Sequence, residues 1–242
     1  MKDYYIGFKI AWGMLSTIPI LTINEFKKGY NGYASAMYPL VGLLLALLLN
    51  LSALLLENHL ESWHLYIVLF VLWVYSYGAI HLDGVSDVYD GMKSYAPKEK
   101  LLEIMKDPRI GSLGFVFTFL LMLLKLSAFV ALGDVSALLF VMMLSRYGVL
   151  FIIFFFNSDG DMSTASQSEF TPMNFGVATA TVLLFGLLFQ GLSIILWMAF
   201  VGVLAIIIAK RLLIRFDKLN GDMYGYSIEW LEVAMLYVLL LI

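Results

Sequence analysis

Residues 34–56 read ASAMYPLVGLLLALLLNLSALLL, an apolar run without a single charged side chain. A helix needs about 20 such residues to cross the hydrocarbon core of a bilayer. Further spans of this kind are predicted at 64–80, 112–132, 136–156, 175–190, 192–209 and 224–242. The sequence therefore predicts an all-α, polytopic membrane helix bundle of about six to eight transmembrane or re-entrant helices.

The composition agrees with a membrane protein and excludes several classes. The chain is 62% hydrophobic and has a mean hydropathy of +0.89, which is too apolar for a soluble domain of 242 residues. It has no cysteine, which rules out disulfides and a thiolate nucleophile. A net charge of -3 gives no nucleic-acid footprint. We expect no cleaved signal peptide and one integral-membrane catalytic domain over residues 1–242.

The basic residues predict the orientation in the membrane. Of the 15 lysines and arginines, Lys125 and Arg146 fall inside predicted spans. All of the others fall on the same side of the predicted bundle as the N-terminus. By the positive-inside rule this side faces the cytoplasm. Residues 5–23 are expected to form an interfacial or re-entrant helix, and the stretch around Leu101 an amphipathic helix along the membrane surface.

Residues 81–91 read HLDGVSDVYDG and carry the main candidate site. On a helix, Asp83, Asp87 and Asp90 share one face, where three like charges resist ionisation. A hard divalent cation such as Mg²⁺ removes that penalty, so a metal site is predicted; a solvated polar loop is the alternative. His81 adjoins the stripe and is a candidate general base or a partner of a ligand, a structural histidine being the alternative.

A second acidic stripe lies near the C-terminus. Asp222, Glu229 and Glu232 are spaced by seven and three residues and again share a helical face. Asp222 has an alternative reading as an ordinary helix cap. Glu229 and Glu232 enter an apolar helix, where ionisable side chains are usually functional. The two stripes are therefore predicted to share one or two metal ions.

Basic residues near the first stripe are candidates for phosphate binding. The segment Lys106-Asp107-Pro108-Arg109-Ile110-Gly111 combines cations with a glycine that permits close backbone approach, although such cations also contact lipid headgroups. Arg146 lies in the middle of a span, where a lone charge is expensive, so it is expected to pair with a carboxylate or hold substrate. Lys125 has the alternative of reaching toward the headgroups.

The chain resembles the cobalamin synthase family, the integral-membrane adenosylcobinamide-GDP ribazoletransferases of bacteria and archaea. The matching blocks occur along nearly the whole chain. They are STIPI at 16–20, MYPLVGLLLALL at 37–48, HLDGVSDVYDG at 81–91, EIMKDPRIGSLG at 103–114, LSR at 144–146 and NGDMYGYSIEWLEV at 220–233.

This resemblance implies a Mg²⁺-dependent phosphotransferase in the cytoplasmic membrane of a prokaryote, with its active site facing the cytoplasm. The implied substrates are adenosylcobinamide-GDP and alpha-ribazole or its 5′-phosphate, and the implied leaving group is GMP. Phosphoryl transfer consists mainly of positioning and charge neutralisation, for which the aspartates, Lys106 and Arg109 are suited. The expected partners are these substrates and the lipid bilayer, with a homo-oligomer possible and no nucleic acid.

Two other classes of membrane protein also carry functional acidic residues on their helices. A CDP-alcohol phosphotransferase also holds metal on membrane aspartates, but its pattern places Ala-Arg soon after the second Asp-Gly pair, whereas Met92, Lys93 and Ser94 follow Gly91 here. A divalent-cation transporter would place its acids near the bilayer midplane, often on broken helices in two repeats. Here the acids lie at predicted helix ends and no repeat is evident.

Overall fold

The structure is a computed structural model that describes residues 2–19, 27–105, 107, 109–156, 158 and 161–242, with the backbone alone for 161–164. Over these residues the chain is helical and forms no strand, as the sequence predicts. The helices are α1 (Lys2–Leu15), α2 (Tyr30–Ala36), α3 (Tyr38–Leu56), α4 (Ser62–Ser76), α5 (Ile80–Lys93), α6 (Lys98–Met105), α7 (Ser112–Leu132), α8 (Leu138–Phe155), α9 (Asp161–Glu169), α10 (Pro172–Gln190), α11 (Ile194–Phe216) and α12 (Gly221–Leu241).

The apolar helices are long enough to cross a membrane. Five stretches of the described residues qualify by length and composition: Tyr38–Leu56, Ser112–Leu132, Val135–Phe155, Pro172–Phe216 and Gly221–Leu241. The longest of them contains both α10 and α11. The chain turns between these two helices, since Gly191 has a φ of 57° and a Cβ on Gly186 of α10 would lie only 2.3 Å from Cγ1 of Ile194 on α11. The stretch is therefore two helices, as the predicted separate spans 175–190 and 192–209 require.

The predicted span 64–80 is shorter than expected and ends in a corner. Helix α4 stops at Ser76, and the chain then turns through Gly78 and Ala79, which have φ angles of 68° and 56°. Helix α5 leaves this corner at 81° to α4. Left-handed backbone stops a right-handed helix because the next peptide can no longer continue the hydrogen-bond pattern. Neither α4 nor α5 is among the five spans, and together they qualify as a sixth only as a broken span or a re-entrant loop.

Other element boundaries also differ from the predictions. The predicted helix 34–56 is broken at Met37 into α2 and α3, because Pro39 has no N–H to donate and is favoured in the first turn of a new helix. The predicted loop 157–174 contains α9. Helix α1 ends at Leu15, short of the predicted residue 23. Helix α6 is amphipathic as expected, with Leu101 and Met105 buried.

Helix α8 is the centre of the bundle. Nearly all of its side chains are buried, and it packs against α3, α11 and α12. Close approach to α3 requires a glycine there, since a Cβ on Gly42 would lie 2.3 Å from the carbonyl oxygen of Met142. Polar groups in such a core need partners, because they have no access to water. Helix α8 thus places Ser145 and Arg146 where their polar atoms must find partners within the protein.

Helices α5, α7 and α12 form the part of the bundle that carries the acidic residues. Helix α5 packs against both other helices. A Cβ on Gly84 would lie 2.5 Å from the carbonyl oxygen of Asp222, and a Cβ on Gly225 would lie 3.0 Å from Cα of His81. Glycines on both helices therefore let α5 and the start of α12 meet backbone to backbone, which brings the two acidic stripes together.

Candidate active site

The predicted acidic stripe on α5 is helical, and the start of α12 extends it. Asp83 is exposed, whereas Asp87 and Asp90 are half-buried. Burial, together with the negative charges of Asp83, Asp222 and Asp90, raises the pKa of Asp87 to about 7. Asp222 does not cap α12, because Asn220 accepts the hydrogen bond from the amide of Met223. Asp222 therefore belongs with the α5 acids, and its alternative reading as a cap is wrong.

The acidic side chains suit a hard cation in their chemistry. Carboxylate oxygens are the ligands that Mg²⁺ prefers, and a cation would relieve the repulsion that raises the pKa of Asp87. Within the part of the chain that the structure describes, no three Asp, Glu or His side chains are arranged to enclose an ion. A Mg²⁺ ion here would need water and substrate phosphates as further ligands, and the predicted metal site stays a prediction.

Asp90 makes backbone contacts that the sequence did not predict. Its Oδ2 accepts a hydrogen bond from the amide of Gly111 and its Oδ1 one from the amide of Gly114, both at 2.8 Å. A Cβ on either glycine would lie within 2.4 Å of this carboxylate. Asp90 thus caps the start of α7, where unpaired N–H groups favour a negative charge. Its predicted role as a metal ligand, and that of Gly111 in phosphate binding, stay predictions.

The basic segment before α7 presents one cation to solvent. The guanidinium of Arg109 donates to both carboxylate oxygens of Asp107, at 2.9 and 2.7 Å. These hydrogen bonds hold the pKa of Asp107 at about 2, well below its usual value. The side chain of Arg109 is 87% exposed, so it remains accessible to a phosphate. Lys106, the other predicted phosphate-binding residue, lies outside the described residues.

Glu229 and Glu232 lie deeper in the bundle, in a buried ion network. The ammonium of Lys125 donates to Glu229 at 2.7 Å and to Glu232 at 2.5 Å. Arg146 donates to the other oxygen of Glu232. All four side chains are fully buried. Two cations and two carboxylates balance one another, so the metal role predicted for the two glutamates finds no support in this geometry and stays a prediction.

This network settles what Lys125 and Arg146 do. Lys125 does not reach toward the headgroups; its ammonium lies 4.1 Å from the ring centroid of Trp73 inside the bundle. Arg146 pairs with a carboxylate, one of its two predicted roles. Ser145 also contributes, through a 3.1 Å contact to Glu232, and the sequence analysis missed it. Its position beside Arg146 within an apolar span was the available signal.

His81 connects the buried network to the acids of the site. Its Nδ1 lies 3.6 Å from Glu229 Oε1, and its ring stacks on Tyr77 with centroids 4.7 Å apart. The side chain is 4% exposed, and Nε2 has no hydrogen-bond partner among the described residues. A buried imidazole nitrogen without a partner has the capacity to accept or donate a proton. This placement is compatible with the predicted general base, which stays a prediction.

Two cavities flank the first turn of α5, and Ile80 lines both. The open cleft, of about 660 Å³, lies between α5 and α7 and is lined by Asp83, Ser86 and Phe119, among others. The enclosed cavity, of about 420 Å³, includes His81, Asp222 and Tyr224 in its lining. Both are of a size typical of small-molecule sites. The acids of α5 and α12 thus stand where two cavities meet.

Fold and site together define a polytopic helical membrane protein with a carboxylate-rich site, flanked by two cavities, where α5 meets α12. A family model described as cobalamin-5-phosphate synthase matches residues 7–240. The chain belongs to this family. A relative from Pseudomonas putida named adenosylcobinamide-GDP ribazoletransferase is 32% identical over 95% of this chain and 96% of its own.

Further relatives carry the same name. One from Brevibacillus brevis is 31% identical, covering 96% of this chain and 97% of its own. Another, from Pseudomonas entomophila, is 33% identical, covering 96% of this chain and 97% of its own. No solved structure matches the chain. The family resemblance inferred from the motifs is confirmed, and it extends through α5, α7, α8 and α12, which build the site.

Proposed function

We propose that this protein transfers the GDP-activated adenosylcobinamide phosphate to a ribose hydroxyl of alpha-ribazole or its 5′-phosphate, the late step that assembles the nucleotide loop of vitamin B12. The observation that carries the proposal is the family match over residues 7–240, together with the shared name of relatives that align over nearly their full length. In this reaction the hydroxyl oxygen bonds to phosphorus, the bond from phosphorus to GMP breaks, and the hydroxyl proton passes to a base.

The chain's own residues have distinct parts in this proposal. One or two of the carboxylates of Asp83, Asp87 and Asp222 would hold Mg²⁺ together with water and substrate phosphate, and the ion when bound would supply positive charge to the diphosphate. Arg109 is exposed and directly precedes Ile110, which lines the open cleft, and in this proposal it neutralises phosphate charge on the departing GMP. His81, with Nε2 unpartnered, accepts the proton of the attacking hydroxyl. Glu229 Oε1 lies 3.6 Å from its Nδ1, which is beyond a hydrogen bond but close enough for the negative charge to favour a protonated imidazole.

The site is proposed to face the cytoplasm of a prokaryotic cell. Arg109 lies just before α7, and Arg211 and Arg215 lie near the end of α11, which leads into α12. The loop between α7 and α8, at the other end of α7, carries Asp134 and no cation. The positive-inside rule favours the cytoplasm for the arginine-rich side. Self-association stays a prediction.

The direct test uses the full-length protein in phospholipid vesicles with adenosylcobinamide-GDP and alpha-ribazole. We expect GMP release that requires Mg²⁺, stops with EDTA and returns when Mg²⁺ is added in excess. Asp83→Asn should abolish release, whereas Asp134→Asn, in the loop at the far end of α7, should match wild type. Absence of GMP release from the wild-type protein with either form of the acceptor would overturn the proposed function.

A further inference from the structure

The two cavities differ in how far the protein encloses them. In the enclosed cavity, Tyr38, His81 and Ile228 are 6%, 3% and 3% exposed. In the open cleft, Ile110 and Phe115 are 67% and 62% exposed. A ligand of the first would contact more buried side chains than a ligand of the second, whose lining is largely exposed. The two cavities are therefore suited to molecules of different size.

The lining of the enclosed cavity suits a flat heteroaromatic group joined to a sugar. Tyr38, Tyr224 and the imidazole of His81 offer ring faces, and Ser166 adds a hydroxyl. The unpartnered Nε2 of His81 supplies a polar atom that is more than nine-tenths buried. No described lysine or arginine lines either cavity, so the assignment of a nucleoside portion to the enclosed cavity rests on its aromatic rings and on the buried Nε2 of His81.

The open cleft is also mainly apolar, and it differs from the enclosed cavity in the exposure of its lining side chains. Its wall is broad and apolar, with Phe115, Phe119 and Met122 along α7. Ile110, at its mouth, directly follows Arg109, the exposed arginine. An apolar wall with a cation at its entrance suits a bulky molecule that carries a phosphate and remains partly outside the protein. Asp83 lies in the same wall, within reach of that phosphate-bearing end.

We propose that the enclosed cavity binds the acceptor nucleoside and that the open cleft binds the corrinoid of the activated donor. The assignment rests on the proposed function and adds to it the place of each substrate. The two substrates then approach each other across the first turn of α5. Asp83 faces the donor, while His81 and Asp222 face the acceptor. The hydroxyl and the phosphate thus meet at the acids contributed by α5 and α12.

Three half-buried methionines provide a matched test. Met14 lines the enclosed cavity, Met122 lines the open cleft, and Met198 lines neither. Each is replaced by tryptophan in the full chain in vesicles, and the KM of alpha-ribazole and of adenosylcobinamide-GDP is measured separately. Met14→Trp should raise the KM of alpha-ribazole about tenfold and leave the KM of the donor within about twofold. Met122→Trp should do the reverse, and Met198→Trp should change neither.

The opposite pairing of variant and substrate, or equal effects of both cavity variants on both KM values, would overturn the assignment. If a tryptophan variant does not accumulate as folded protein, Met14→Ala and Met122→Ala replace it, because these changes only widen the cavities. We expect them to raise the same KM values, by about threefold. If wild-type protein releases no GMP, the proposed function fails; if it does and the KM pattern is crossed, the cavity assignment alone fails.

Discussion

The backbone of Asp222 lies against Gly84, so that a Cβ on this glycine would come within 2.5 Å of the Asp222 carbonyl oxygen. Gly84→Ala should therefore push α5 away from α12 and separate Asp83 and Asp87 from Asp222. A displacement of about 1 Å at a reaction centre can cost about 100-fold in rate, so we expect kcat for GMP release to fall at least about tenfold. The measurement is steady-state kinetics in vesicles.

The control for this change is Gly176→Ala. Gly176 is exposed on α10, and a Cβ there would meet nothing within 4 Å. Alanine is the better helix former, so this variant should be as stable as wild type or slightly more so, with unchanged kcat. If Gly84→Ala also keeps wild-type kcat, the close contact of α5 with α12 does not set the geometry of the site.

Asp90→Asn should damage the fold more than the chemistry. An amide has one acceptor oxygen where the carboxylate has two, so one of the amides of Gly111 and Gly114 loses its partner. We expect a loss of about 1–3 kcal/mol in the free energy of unfolding, measured by denaturation in detergent micelles, with substantial GMP release remaining. Full stability combined with a loss of activity as complete as in Asp83→Asn would instead assign Asp90 to metal binding.

Lys125→Met should destabilise the bundle strongly. It leaves Glu229 and Glu232 with Arg146 as the remaining cation of the network, and removing one partner of a buried pair costs about 3–5 kcal/mol. Adding Glu229→Gln restores the balance of one cation to one carboxylate, so the double variant should be more stable than Lys125→Met alone.

Chemical denaturation in micelles measures both effects, with the exposed Lys210→Met as the control. A control change of this kind should stay within about 0.5 kcal/mol of wild type. Equal stability of Lys125→Met and Lys210→Met would show that the network contributes little to folding.

The Mg²⁺ affinity should increase with pH. The pKa of Asp87 is raised to about 7, so below that pH an incoming cation must displace a proton. For a group with that pKa the dissociation constant of Mg²⁺ should fall about tenfold between pH 6 and pH 8. Titration calorimetry with Mg²⁺ alone measures this, and Asp87→Asn should remove the pH dependence.

The same shift affects stability in the absence of Mg²⁺. Because the pKa of Asp87 is higher in the folded protein than in the unfolded chain, folding takes up a proton. The contribution of Asp87 to stability is therefore present at low pH and is lost as the pH rises through about 7. The free energy of unfolding should therefore fall more steeply with rising pH in the wild type than in Asp87→Asn. Equal slopes below about pH 7 would contradict the raised pKa.

The helices and the acidic stripe were predictable because their signals are local. Asp83, Asp87 and Asp90 repeat with the helical period, and apolar runs of sufficient length predict spans. The partners of Asp90 are backbone amides of Gly111 and Gly114. No pattern within α5 reveals that a distant helix start needs a cap.

The fate of Glu229 and Glu232 was not predictable for a related reason. Their spacing resembles that of the first stripe, and it carries no information about which cations face them. Lys125 and Arg146 come from two other helices, 104 and 86 residues away along the chain for the nearest pairings. Only the packing of α7 and α8 against α12 decides whether such acids face an ion, a substrate or a permanent counter-charge.

The corner at Gly78 and Ala79 lies between α4 and the acids of α5. We therefore expect the position of the site to depend little on how α4 fits the thickness of the lipid layer. The acids of α5 lie beyond the 81° turn and pack with α7 and α12, so we expect the far end of α4 to have little part in setting their depth. Residues inserted near Glu61, where α4 begins, would alter the fit of that helix to a thicker or thinner bilayer and leave the reacting groups in place. Chains of this architecture are thus free to adapt to membranes of different composition without rebuilding their chemistry.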